Sequence, residues 1–184
     1  MSRLPRANAD ALLRTLRTSP VFGGGKPEIL MALAEQATPL AYPAGAFLCR
    51  QGEPAAHVFV LTKGEVEVKV RAENGAEKLV ARLAAPNVFG EMGVVTGEPR
   101  TASVIAASEV ECYRLDKEAF QRVLKQRPQI AESVSNVMAR RRVELAAVRE
   151  GLDAAQHKLR MREEKSRILD SLQTFFGMDD EKAS

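Results

Sequence analysis

The chain has 184 residues, 45% of them hydrophobic and 28% charged, with a formal net charge of +3 and a pI near 9.0. This is the composition of one soluble domain with an appendage. No apolar run approaches the ~18 residues of a membrane span, no signal-peptide core opens the chain, and the basic excess is too small to argue for nucleic acid.

Residues 8–18 place Leu12, Leu13 and Leu16 at helical spacing before Ser19-Pro20 ends the run. Pro27 suits the first turn of a second helix, which carries Ile29, Leu30, Leu33 and Ala34 as far as Ala37. Between them, Gly23-Gly24-Gly25-Lys26 outwardly resembles a triphosphate-binding loop. That motif needs Gly where Pro20 stands and Ser or Thr where Pro27 stands, so a flexible corner is the better reading. From Thr38 to Leu115 the runs shorten and are broken by Gly, Pro and Asn, the signature of an antiparallel barrel or sandwich. Val66, Val68 and Val70 alternate with Glu65, Glu67, Lys69 and Arg71, so one face of that strand is buried and the other wet. Asn74-Gly75 supplies a hairpin turn, and Leu79, Ala81 and Leu83 alternate on the return strand. Further strands are expected at 46–50, 57–62, 101–107 and 109–115. Cys49 and Cys112 fall in such runs and read as small buried hydrophobes, which favours a reducing, cytoplasmic setting. His57 has no Cys, Asp or second His at ligand spacing, and His157 is as isolated in a charged helix; both read as structural or solvated. With no paired carboxylates, nucleophile–His pair or metal constellation, the chain is expected to be no enzyme, with no catalytic residue and no metal.

Residues 88–103 carry the chemistry. Gly90 and Gly93 let the backbone bend where a side chain would clash, so that successive N–H groups can converge on an anion at the start of a short helix. Arg100, after the Gly97-Glu98-Pro99 turn, can add a charge-assisted bond to the same anion. Glu91 cannot face a phosphate without repulsion, so its natural partner is a neutral donor such as a sugar hydroxyl. The order Phe89-Gly90-Glu91, a short apolar turn, then Arg100-Thr101-Ala102-Ser103 resembles the phosphate-binding cassette of the cyclic nucleotide-binding domain family. Pro43-Ala44-Gly45, Arg50-Gln51-Gly52-Glu53-Pro54 and Lys63-Gly64-Glu65-Val66 resemble that family's β-roll, and the likeness covers roughly residues 20–145. The resemblance implies that Glu91 holds the ribose 2′-hydroxyl, that Arg100 holds the cyclic phosphate, and that the amides of Gly90, Met92, Thr101 and Ala102 complete the cradle. Thr101 could also bond the guanine amino group of cGMP, so it permits cGMP without selecting it. The implied ligand is cAMP or cGMP.

Asp116 suits the N-cap of a helix from Lys117 to Gln126, with Ala119, Phe120, Val123 and Leu124 inward, and Pro128 begins another. From there to about Phe176 the sequence reads as one long helix or as two joined near Gly151. By the resemblance this helix is the lid over the purine, and Arg141 and Arg142 fall near a base-contacting arginine; an equally good reading is a solvated Arg140-Arg141-Arg142 face. Met138, Leu145, Val148, Leu152, Ala155 and Leu159 form a coiled-coil seam, so self-association through the C-terminal helix is expected. The alternating charges of Arg160, Arg162, Glu163, Glu164, Lys165 and Arg167 argue against a DNA-binding region. The segment after Leu159 leaves no room for the helix-turn-helix domain of catabolite-activator-like regulators. It is more similar to the cytoplasmic end of bacterial cyclic nucleotide-regulated channels, including those resembling the small-conductance mechanosensitive channel; Phe175-Phe176 is otherwise a helix end packed on a neighbour.

The expected architecture is α+β: an antiparallel, jelly-roll-like β-roll flanked by N-terminal helices and a long C-terminal helix. It divides into a helical segment (1–37), a nucleotide-binding roll with its lid (38–145) and a helical extension (146–184). The expected function is a cytoplasmic cyclic nucleotide sensor, without nucleic acid as a partner, that gates an attached membrane channel. The alternatives are a free-standing sensor, an oligomerisation scaffold or a transcription-factor-type sensor without its DNA-binding domain.

Overall fold

The computed structural model describes residues 6–19, 22, 27–126, 128–150 and 154–176. Helices α1 (Arg6–Thr18) and α2 (Pro27–Gln36) precede strands β1 (Thr38–Tyr42), β2 (Phe47–Cys49), β3 (His57–Lys63), β4 (Glu65–Arg71), β5 (Glu77–Ala84) and β6 (Asn87–Phe89). The short helix α3 (Glu91–Thr96) comes next, then β7 (Ser103–Ala106), β8 (Val110–Asp116), α4 (Lys117–Gln126), α5 (Pro128–Glu150) and α6 (Ala154–Phe176). Among the described residues the strands form two antiparallel sheets, in the orders β1-β8-β3-β6 and β2-β7-β4-β5. The fold is therefore the expected α+β β-roll with flanking helices.

The valine alternation of β4 does what its period demands: Val66 and Val70 are fully buried and Val68 half-buried. The β4–β5 turn closes with Gly75 at φ 80°, Ala72 N donating to Ala76 O at 2.9 Å, and Asn74 Oδ1 accepting from Ala76 N at 3.0 Å. β1 and β6 lie outside the expected strands. β1 contains Pro39 and pairs only with β8 at a sheet edge, where a missing N–H is tolerated, and β6 is three residues long.

One core cluster joins Leu12, Leu16, Phe22, Leu30 and Leu33 to Val58, Leu115, Phe120 and Leu124; Phe22 meets Phe120 edge-on at 5.8 Å. The second lies between the sheets and holds Leu61, Val66, Phe89, Val104 and both cysteines. The cysteines are free thiols, and burial pushes Cys112 up to about 12, so they are small hydrophobes rather than nucleophiles.

The C-terminal segment is two helices, not one. α5 stops at Glu150, α6 starts at Ala154 and returns alongside it, so that Arg142 reaches Glu164. Ile168 and Leu172 of α6 join the first core cluster with Met138 of α5. The proposed seam is thus partly used within the chain: Met138 is buried and Leu145 packs on the core, whereas Leu159 is 60% exposed. Gly23 to Lys26, Gly151 and Leu152 lie outside the described residues, as do the side chains of Ile29, Val123, Ala155, His157, Phe175 and Phe176.

Candidate functional site

The site is built around the turn into and out of α3. Gly90 caps its N-terminus at φ 85°, and a Cβ there would lie 2.7 Å from Arg100 Nη1. Only glycine meets both conditions at low cost. Gly93 is helical but equally constrained, because a Cβ would meet the Ala55 Cβ at 2.3 Å and the Glu98 carbonyl at 2.7 Å. Gly97, at φ 75°, ends α3 with its N–H donated to Gly93 O at 2.9 Å. The loop that follows is pinned to the 52–53 backbone: Arg100 N donates to Glu53 O, and Gly52 N donates to Arg100 O, both at 2.8 Å.

That anchoring fixes Arg100, which is 8% exposed. Its Nη1 donates to Gly90 O at 2.9 Å and its Nη2 to His57 O at 2.8 Å, while the guanidinium lies 5.6 Å from the Phe59 ring centroid. A guanidinium carries five N–H donors, so these bonds aim the group and leave others for an anion. Phe89 stacks on Phe59 at 5.2 Å and forms the wall behind it.

Glu91, at the first position of α3, is 1% exposed and meets Arg141 of α5. Arg141 Nη1 donates to both carboxylate oxygens, at 2.6 and 2.8 Å, and Nη2 donates to Val88 O at 2.6 Å and to Asn87 Oδ1 at 3.3 Å. A carboxylate has about four lone-pair sites, so Glu91 can still accept a hydroxyl beside this pair.

These groups open onto one cleft. Phe89, Gly90, Glu91, Met92, Arg100, Thr101, Ala102 and Arg141 all line it. Arg142 does not: it points to the other side of α5, where it bonds Glu98 and Glu164. Helical geometry turns successive residues by about 100°, which carries Arg142 toward Glu98 and Glu164 while Arg141 reaches Glu91. Thr101 Oγ1 rests 3.9 Å from the Met92 sulfur.

Sequence reasoning missed the apolar half of the cleft, formed by Val68, Val80, Ala81, Leu83, Val104 and Leu145, with Glu144 at the rim. Their pattern is that of ordinary core. The β4–β5 register shifts between Val68 and Lys69, so that Val68 faces Ala81 and Lys69 faces Leu79. The unpaired Val80 then lines the cleft beside its neighbour Ala81. Sheet register also supplies the Asp that His57 lacks in sequence: Asp116 Oδ1 lies 3.1 Å from His57 Nδ1. Burial, with Arg114 adding to it, lowers the His57 pKa against the opposing pull of Asp116. Among the described residues no group of three or more His, Cys, Asp or Glu side chains could hold a metal.

The family description that matches the chain is the cyclic nucleotide-binding domain, over residues 39–127. A cAMP-activated global transcriptional regulator of Mycobacterium tuberculosis is 31% identical over 126 residues, which are 68% of this chain and 56% of that protein. A cyclic nucleotide-gated potassium channel of Rhizobium etli is 34% identical over 123 residues, 67% of this chain and 33% of the channel. The chain therefore spans little more than half of one relative and a third of the other. A cyclic nucleotide-binding domain from Methylobacillus flagellatus shares the fold, with a TM-score of 0.60 at 24% identity over 89% of this chain and 84% of that one.

Proposed function

We propose that this chain, which belongs through residues 39–127 to the cyclic nucleotide-binding domain family, is a sensor that binds cAMP or cGMP and reports occupancy by moving α5. The observation that carries the reading is the placement of Arg100 and Glu91 on either side of Gly90 in one cleft, with the α5 residue Arg141 reaching in. Arg100 takes the cyclic phosphate, Glu91 the ribose 2′-hydroxyl, and the amides of Gly90, Met92, Thr101 and Ala102 the remaining phosphate oxygens. The purine lies along Val68, Val80, Leu83 and Leu145. One Arg without a facing carboxylate suits a monoanion, and a buried carboxylate nearby suits a neutral hydroxyl.

Arg141 is the link to output. As the purine arrives, Arg141 is shared between it and Glu91, and any preference for one position of α5 shifts its population. What α5 drives is a property of the whole protein. We favour an attached channel, with this chain on the cytoplasmic side of a membrane; the Rhizobium etli relative is a cyclic nucleotide-gated potassium channel. The Mycobacterium tuberculosis relative supports a transcription-factor-type sensor as the alternative reading. Among the described residues no helix is long and apolar enough to cross a membrane. The division at 37/38 and 145/146, self-association through the C-terminal helices, and the absence of nucleic acid as a partner belong to the same proposal. A calorimetric titration with cAMP and cGMP tests its core.

A further inference from the structure

We infer that Arg142 is a positioning residue of the nucleotide site, which ties the phosphate-binding loop to α6 and makes that helix a working part of the site. The inference rests on the reading of Arg100 as the phosphate ligand.

Arg142 Nη2 donates to Glu98 Oε2, and Nη1 donates to Glu164 Oε2 at 3.2 Å. The Arg142 and Glu164 side chains are only 17% and 7% exposed. Arg160 and Arg167 flank Glu164 at 3.9 and 3.6 Å, so its charge is compensated from more than one side. Glu98 stands two residues before Arg100, across Pro99, in the loop whose far edge is held by the Glu53 carbonyl and the Gly52 amide. The loop is thus clamped between backbone bonds on one side and Arg142 on the other.

The neighbouring residue completes the device. Arg141 grips Glu91 at the start of the cassette while Arg142 grips Glu98 near its end. Consecutive residues of α5 therefore hold both ends of the phosphate cradle, and the second also holds α6. A displacement of α5 must either break these bonds or carry the cassette and α6 with it. The role needs a fork: two acceptors lie on different nitrogens of one planar group, which a lysine ammonium cannot reproduce. α6, whose Ile168 and Leu172 are seated in the core with Val94 and Val95 of α3, is placed to feel the same movement.

The test uses the full chain and the variants Glu98→Gln, Glu164→Gln and their double, titrated with cAMP and cGMP, with backbone hydrogen exchange of α6 followed with and without nucleotide. Both substitutions keep shape and remove one charge. Each single variant is expected to bind about three- to thirtyfold more weakly, with the double no weaker than the worse single, because both cut one relay. Exchange in α6 is expected to respond to nucleotide in the unaltered chain and to lose that response in Glu98→Gln. Unchanged affinity in folded variants, additive losses, or an α6 response that survives Glu98→Gln overturns the inference. Should Glu164→Gln fail to fold, the exchange comparison with Glu98→Gln decides alone. If the unaltered chain binds neither nucleotide, the underlying reading falls first and the inference with it.

Discussion

Arg141 and Glu91 form an ion pair at the site in which the carboxylate is buried. Glu91 is 1% exposed, and among its described contacts the charge is met by Arg141 Nη1 at 2.6 and 2.8 Å. Burying an uncompensated carboxylate is costly, so Arg141→Ala is expected to lower stability by about 3 kcal/mol, read as a fall in urea midpoint by circular dichroism. Adding Glu91→Gln to that variant is expected to recover part of the loss, because the orphaned charge disappears. A single variant as stable as the parent chain would show that the pair contributes little. Glu91, Arg100 and two of the glycines, which meet in the cleft, could be picked out in the sequence because the chemistry proposed for them is local: a phosphate cradle needs those residue types close together. The acceptors that aim Arg100 were not, since the His57 carbonyl lies 43 positions away and a backbone oxygen has no sequence signature. Arg141 and Arg142 could not be told apart by type; only their different directions on α5 separate the residue that lines the cleft from the one that bonds Glu98 and Glu164.

At the scale of elements, α3 is held in place by absence of a side chain. Gly93 lets the helix approach Ala55 Cβ and the Glu98 carbonyl, so the cassette packs directly on the 52–55 loop. Gly93→Ala is expected to cost about 1–3 kcal/mol through overpacking, and to push the 97–100 loop away from its backbone anchors. An unaltered thermal midpoint would contradict this account of the packing. The hairpin of β4 and β5 was legible from its alternation and from Asn74-Gly75. The bulge that turns Val80 into the cleft was not: it breaks the expected alternation of Leu79, Ala81 and Leu83 and leaves Leu79 45% exposed. The long C-terminal segment carries the same lesson. Helical periodicity reports an apolar stripe but not the partner that covers it, and here Ile168 and Leu172 find the chain's own core.

For the whole molecule, the fold class followed from the sequence because it depends on short-range patterns and a specific motif. The relation of the C-terminal helices to the roll depends on long-range packing, which no window of sequence displays. The folding back of α6 uses its inner face, yet Leu159 and Leu169 remain 60% and 36% exposed. We therefore expect self-association of the intact chain in sedimentation at micromolar concentration, and a monomer there would remove the C-terminal helices as an interface. The central claim is that the cleft binds a cyclic nucleotide through Arg100. Calorimetric titration of the intact chain with cAMP and cGMP, beside Arg100→Ala, tests it most directly. Loss of a buried charge partner costs about 2–5 kcal/mol, so saturable binding to at least one nucleotide should weaken roughly 30-fold to a few thousandfold in the variant. A folded, ligand-free chain that binds neither nucleotide, or a variant that binds as tightly as its parent, would contradict the account.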